Sequence, residues 1–267
     1  GIDLVVPDIS YLVQNKDRVR GIVLTHGHED HIGGLPYVIK ELNVPVYGTK
    51  LTLMLCEHKL KEQRLPDYML NCVSSGSQVK LGCFTVEFIH VNHSIPGSCA
   101  LAINTPVGTV FHSGDFKIDL TPINGEMIDL PRISEIGKRG VTLLLCESTN
   151  VEQEGYTMSE HVVGETLDRL FADNVKRRII VATFATNVHR LQQIVNLAMK
   201  HRRKIAFSGR SMLNVVEAAS KVGEIFVPQD IVVDIEKIKS VADKDLVIVS
   251  TGSQGGADER AYPYGRG

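Results

Sequence analysis

The run His26-Gly27-His28-Glu29-Asp30-His31 places four side chains of metal-ligand type within six positions. Neutral imidazole nitrogen binds zinc strongly, and a carboxylate oxygen adds charge neutralisation. Two histidines separated by one glycine at a strand-to-helix turn can converge on one ion. Asp30 and His31, at the start of the following helix, can turn toward a second. Gly27, Gly33 and Gly34 permit tight backbone paths where a β-carbon would clash. An isolated histidine is more often a surface or satisfied core residue. The density of ligand types is what points to metal chemistry here.

The elements around this run should hold it between a strand and a helix. Residues 21–25 are β-branched and apolar, and Leu35, Val38, Ile39 and Leu42 follow at helical spacing. A second short strand is expected over 44–48 and a helix over 51–60. A hairpin is expected over 79–91, with Gly82 near its turn, and further strands over 98–104 and 108–113. Residues 141–146 read as a buried strand. The rhythm then changes to helix 159–171, strand 178–184, helix 187–201, strand 204–208, helix 211–222 and strand 246–250. That alternation is expected of a parallel sheet. It divides the chain into a domain over 1–150, a second over 151–252, and a tail over 253–267.

With 267 residues and 43% hydrophobic content the chain can bury one large core or two small ones. A net charge of −2 gives no bulk electrostatic case for nucleic acid, so a polyanion must be held by a local basic surface or by bound metal. Lys176-Arg177-Arg178 and Arg202-Arg203-Lys204 suit either an RNA path or a solvated face. The five cysteines are odd in number and show no C-x-x-C spacing, which argues against a disulfide framework or a thiolate zinc site and fits a reducing cytoplasm. No apolar run is long enough to span a bilayer.

The H-x-H-x-D-H pattern resembles that of the metallo-β-lactamase superfamily, which implies an αββα sandwich with metals at one sheet edge. The resemblance continues in Val91-Asn92-His93-Ser94-Ile95-Pro96 and His112-Ser113-Gly114-Asp115-Phe116-Lys117. It implies that His93 joins His26 and His28 around one ion, and that Asp115 bridges to a second held by Asp30 and His31. Asp30 is implied also to orient the attacking water. Two zinc ions, or manganese in their place, then suit phosphodiester hydrolysis, because they lower a water's pKa, orient it and stabilise charge on the scissile phosphate. The same sandwich serves other hydrolyses, so the metal pattern alone does not choose the substrate. Cys146-Glu147-Ser148-Thr149-Asn150 resembles the first motif of the β-CASP nucleases, which precedes an inserted helicase-like parallel α/β domain. Taken alone, Glu147 is equally an ordinary carboxylate at a strand end.

Within that group the sequence is similar to the ribonuclease J family over residues 1 to about 255. The similarity is carried by Gly33-Gly34-Leu35-Pro36-Tyr37, Asn187-Val188-His189-Arg190 and Thr251-Gly252-Ser253-Gln254-Gly255 among others. It implies catalytic Asp30, Asp115 and Glu147, and 5′-to-3′ exonuclease activity on RNA in maturation and decay, with endonuclease activity also expected. It implies a homo-oligomer or a pair with a paralogue. It places the RNA 5′ monophosphate at Thr186, Asn187, Val188 and His189, where a helix N-terminus offers free N–H groups and a positive dipole end. Asn187 serves equally well as that helix's cap. The alternatives are a small-molecule metallohydrolase of thioesterase or lactamase type, which has no need of residues 151–252, and a catalytically impaired RNA-binding subunit.

The pattern departs from the family at both ends. Relatives carry strands before the segment that begins Gly1-Ile2-Asp3-Leu4, and after the Thr251 stretch a Ser-Gly-His phosphate site and a last metal-binding histidine. Residues 256–267 read instead as an unrelated polar tail. The expectation is a site that holds one ion well and a second weakly, with little or no exonuclease activity.

Overall fold

A five-residue helix, α1 (Ser10–Gln14), precedes β1 (Ile22–Val23). Both β1 residues are β-branched, which favours extended backbone. Their polar groups are satisfied by the flanks of β2 (Val46–Gly48): the Ile22 amide donates to the Pro45 carbonyl at 2.8 Å and the Leu24 amide to that of Tyr47 at 2.9 Å. Three helices connect these parallel strands or follow them: α2 (Glu29–Ile32), α3 (Leu35–Leu42) and α4 (Lys50–Glu62). Parallel pairing requires such crossovers. Helix α3 stops at Asn43, whose φ of 40° is left-handed and closes the last turn. β3 (Leu70–Cys72) adds to the far side of β2, and α4 packs against both.

The second sheet contains β4 (Gln78–Leu81), β5 (Phe84–His90), β6 (Cys99–Thr105), β7 (Gly108–His112) and β8 (Leu143–Leu145), in that order. The first four strands are antiparallel and β8 joins β7 in parallel. Gly82 makes the expected turn between β4 and β5 with a φ of 64°. Side chains alternate across this sheet as the pleat requires. Val86, Phe88, Cys99 and Leu101 meet Val23 and Tyr47 of the first sheet. Ile89, Ala100, Ala102 and Phe111 face Ile133 and Ile136 on α5 (Leu130–Arg139). Two sheets share one apolar layer, with α4 on the outer side of the first and α5 on that of the second, as in an αββα sandwich.

The expectation of a buried strand at 141–146 is corrected. β8 is exposed along its length, with Leu144 at 60%. A continuous apolar run signals a strand covered on both faces. Here β8 is the outermost strand of its sheet, and among the described residues nothing covers it.

The structure, a computed structural model, describes residues 5–65, 68–123 and 126–252. They separate into two compact units, one running to Ser159 and one starting at Glu160. The second unit holds α6 (Glu160–Asp173), β9 (Ile179–Ala182), α7 (Val188–Lys200), β10 (Lys204–Ser208), α8 (Arg210–Val222) and β11 (Leu246–Ser250). Its three strands are all parallel in the order β10-β11-β9. The central β11 is buried from Leu246 to Val249, the pattern of a strand with neighbours on both edges and cover on both faces. Val188, Leu191, Val195 and Ala198 form the buried stripe of α7. The tail expected over 253–267 lies outside the described residues, as do Ser253, Gln254 and Gly255. Among the described residues no helix is long and apolar enough to cross a membrane.

Candidate metal centre

The ligand-type residues lie on the segments that follow strand ends. The chain leaves β1 through Leu24 and Thr25 and delivers His26, which is 0% exposed. Gly27 follows at a close approach to α4: a Cβ there would come within 2.9 Å of Leu55 Cδ1 and 3.3 Å of the Thr52 backbone. His28 then caps α2 in extended backbone, and Asp30 and His31 occupy its first turn. His93 comes from the connection between β5 and β6. Its neighbour Asn92 anchors that connection, accepting from the Ile128 amide at 2.9 Å and donating to the Glu126 carbonyl at 2.6 Å. Asp115 follows β7 on a turn where Gly114 has a φ of 57° and donates its amide to His112 Nδ1 at 3.0 Å.

These three segments bring six donors together. His26 Nε2 lies 3.2 Å from His28 Nδ1, which lies 3.1 Å from His93 Nε2. Three nitrogens around a tetrahedral zinc ion, with bonds of about 2.0–2.1 Å, stand about 3.3 Å apart. Two of the trio's separations are thus near that spacing, and all donor atoms of the group lie within 4.8 Å of one another, as a shared cation requires. Asp115 Oδ2 is 3.8 Å from both His26 Nε2 and His93 Nε2, and 3.4 Å from His31 Nε2. His31 Nε2 is in turn 3.4 Å from Asp30 Oδ2. Two donor groups result, His26, His28, His93 and Asp115, and Asp30, His31 and Asp115, with Asp115 common to both.

Burial keeps the trio neutral. It pushes His26 down to about 2 and His28 down to about 4, with repulsion from neighbouring histidines adding to the effect. His93 is also lowered, chiefly by burial. A neutral ring offers its lone pair without first losing a proton. The nitrogens turned away from the cluster meet hydroxyls: His26 Nδ1 is 3.0 Å from Thr25 Oγ1, and His28 Nε2 is 3.1 Å from Ser94 Oγ.

Glu147 follows β8, and its charge is felt at His93. Burial pushes its carboxyl up, but hydrogen bonds from Thr149 and the Phe116 amide, together with His93, bring it below the usual range. Ser113 ties this residue to the Asp115 turn, accepting the Glu147 amide at 3.0 Å and donating to the Gly114 carbonyl at 2.6 Å. The sequence assigns no role to Thr25, Asn92, Ser94 or Ser113, because hydroxyls and amides beside ligands carry no spacing signal of their own.

In the second unit, Thr186 to His189 lie at the start of α7. Asn187 is buried and caps the helix, its side chain accepting from the Arg190 amide at 3.2 Å. Val188 is fully buried, and its amide donates to the Thr186 carbonyl at 2.9 Å. The cationic runs are partly engaged within the protein. Arg203 is buried over Phe171 and donates to the carbonyls of Arg177 at 2.8 Å and Asn174 at 2.7 Å. Arg178 pairs with Asp243, and Lys204 donates to the Asp230 carbonyl at 2.6 Å.

Comparison with known proteins bears on both units. Residues 2–134 match the metallo-beta-lactamase superfamily, and residues 176–260 match the family described as ribonuclease J, beta-CASP domain. Ribonuclease J of Synechocystis sp. is 47% identical over 258 residues, which are 96% of this chain and 40% of that protein. Ribonuclease J of Helicobacter pylori strain 26695 is 43% identical over 96% of this chain and 37% of its own length. Ribonuclease J2 of Bacillus subtilis is 41% identical over 96% of this chain and 46% of its own. The chain thus spans less than half the length of each of these relatives. A solved structure, a protein of unknown function from Enterococcus faecalis V583, superposes with a TM-score of 0.64 at 18% identity. That match covers 95% of this chain and 61% of the other, and at such identity it concerns the fold alone.

Proposed function

The chain belongs to the metallo-β-lactamase superfamily, in its ribonuclease J group, and from that premise we propose that its metal centre hydrolyses RNA phosphodiester bonds. The proposed action is exonucleolytic from a 5′-monophosphorylated end, with internal cleavage as a second mode, in RNA maturation and decay. The observation that carries this reading is the convergence of His26 Nε2, His28 Nδ1 and His93 Nε2 beside Asp115 Oδ2.

In this reading His26, His28 and His93 hold one divalent ion, Asp30 and His31 hold another, and Asp115 stands between them. The nitrogen-rich first group favours zinc, and the two carboxylates of the second also suit manganese. Such ions, when bound, neutralise charge on the scissile phosphate and make a nucleophile available at neutral pH. The chain's own residues do the positioning. Neutral imidazoles present lone pairs, and Asp115 supplies the negative charge shared by both groups. Asp30, whose side chain is 79% exposed, is free to orient an attacking water as well as to bind. Glu147, held below its usual range, enters the reaction as a carboxylate rather than as a proton donor. The leaving oxygen therefore takes its proton from another group. Thr186 to His189 are proposed to receive the 5′ phosphate through the N-terminal end of α7, the polar groups of Thr186 and His189 acting there while Val188 serves as the buried anchor.

The test uses RNA carrying a labelled 5′ monophosphate, with zinc or manganese added. Release of mononucleotides indicates exonuclease action and internal fragments indicate endonuclease action, and His26→Ala should abolish both. Turnover of a thioester or lactam while RNA stays intact would overturn the proposal.

A further inference from the structure

We propose that Thr25 is a positioning residue for the metal centre: its buried hydroxyl accepts the Nδ1–H of His26 and leaves Nε2 as the unprotonated nitrogen. This rests on the reading of His26 as a metal ligand. A neutral imidazole carries one proton, and the nitrogen without it presents the lone pair. His26 Nε2 faces the cluster, 3.2 Å from His28 Nδ1 and 3.8 Å from Asp115 Oδ2. A proton on Nε2 would point into the space where a cation is held. Yet Nε2–H is the form a free histidine side chain favours. His26 must therefore be kept in the less favoured tautomer, and the group able to do so is Thr25 Oγ1, 3.0 Å from Nδ1.

His28 provides an internal contrast. Its Nδ1 faces the cluster and its Nε2 meets Ser94 Oγ at 3.1 Å, so its metal-competent tautomer is already the favoured one. Ser94 and His28 are only half-buried, which lets water replace the hydroxyl. Thr25 and His26 are 8% and 0% exposed, which denies that replacement. The Thr25 hydroxyl is thus the more consequential of the two.

The rest of Thr25 has a separate task. A Cβ on Gly114 would lie 3.2 Å from Thr25 Cβ and 3.4 Å from its Cγ2, so the threonine's carbon atoms form the seat of the turn that carries Asp115. Its carbonyl accepts the Cys99 amide at 2.9 Å, fastening the end of β1 to β6. Hydroxyl and methyl are separable by substitution. Thr25→Val keeps the branched shape and removes the hydroxyl, while Thr25→Ser does the reverse.

The experiment uses the full 267-residue chain. Zinc affinity is measured by competition with a chelator for wild type, Thr25→Val, Thr25→Ser, Ser94→Ala and His26→Ala. Long-range proton–nitrogen correlation spectra report the His26 tautomer, and circular dichroism reports the fold. Thr25→Val should bind zinc on the order of 10 to 100-fold more weakly and shift the His26 proton toward Nε2. Thr25→Ser should keep wild-type affinity, and Ser94→Ala should lose less than Thr25→Val. A folded Thr25→Val with wild-type affinity and an Nδ1–H His26 would overturn the proposal. Should Thr25→Val fail to fold, the spectrum of the metal-free wild type decides: Nδ1–H on His26 before any zinc is added supports it and Nε2–H overturns it. Zinc binding unchanged in His26→Ala would instead remove the ligand reading on which it rests.

Discussion

His26 has no contact with solvent, and its burial shapes the order in which ions should bind. The His26, His28 and His93 group presents three neutral nitrogens already near the spacing a metal requires. The other group relies on Asp30, which is largely in solvent and must be ordered on binding. Titration with zinc followed by elemental analysis should therefore show one ion retained through dialysis and a second removed by mild chelation. Two equally tight ions would contradict this asymmetry. The turn bearing Asp115 is equally constrained. Gly114→Ala would place a methyl group 2.8 Å from the Cys99 carbonyl at a φ that disfavours side chains. It should cost about 1–3 kcal/mol in denaturant unfolding and weaken zinc binding as well. His26, His28, Asp30 and His31 were legible in the sequence because one short run carries them all. His93 meets His28 from 65 residues away, through strand pairing that no local spacing encodes, so it was found by resemblance. Thr25 and Ser94 were not legible, since a hydroxyl beside a histidine is ordinary until the ring orientation is known.

At the level of elements, the alternation in β5 reports the two-sided environment of its sheet. Val86 and Phe88 face the other sheet, whereas Glu87 turns toward α5 and is held by Arg132 at 2.7 and 2.9 Å. Hydrogen bonding to Arg132 holds the Glu87 carboxyl below its ordinary value near 4.5. Because the unfolded chain protonates first, this pair contributes fully above pH 4.5, and the contribution is lost as pH falls through the lower folded value. Glu87→Gln should cost about 1–2 kcal/mol at neutral pH, the partial exposure of Arg132 keeping it below a fully buried pair. It should also flatten the acid limb of a stability-against-pH curve. β8 is the opposite case. Its three leucines read as core in the sequence because hydrophobic runs do not reveal whether a covering layer exists. Leu144→Lys should change unfolding free energy by no more than about 0.5 kcal/mol, and a loss of several times that would show that the strand is covered. Strand and helix positions in the second unit were legible to within a few residues, since β11 and α7 carry uninterrupted burial patterns. Arg203 was not, because a cation donating to two loop carbonyls looks the same in sequence as one facing solvent.

The whole chain combines a sandwich unit that carries the His/Asp cluster with a parallel α/β unit, and it has a net charge of only −2. Part of its clustered positive charge is engaged internally, so RNA affinity should depend more on bound metal than on a broad cationic surface. Single-stranded RNA binding should fall by no more than about tenfold between roughly 50 and 200 mM salt, while chelation should reduce it further than salt does. A steep salt dependence unaffected by chelation would point to a basic surface instead. Where the ions sit can be read from the anomalous difference map of a zinc-soaked crystal. A strong peak should lie among His26 Nε2, His28 Nδ1 and His93 Nε2, and a weaker one beside Asp30 and His31, with Asp115 between them. Zinc-saturated protein with no peak at either position would contradict that placement.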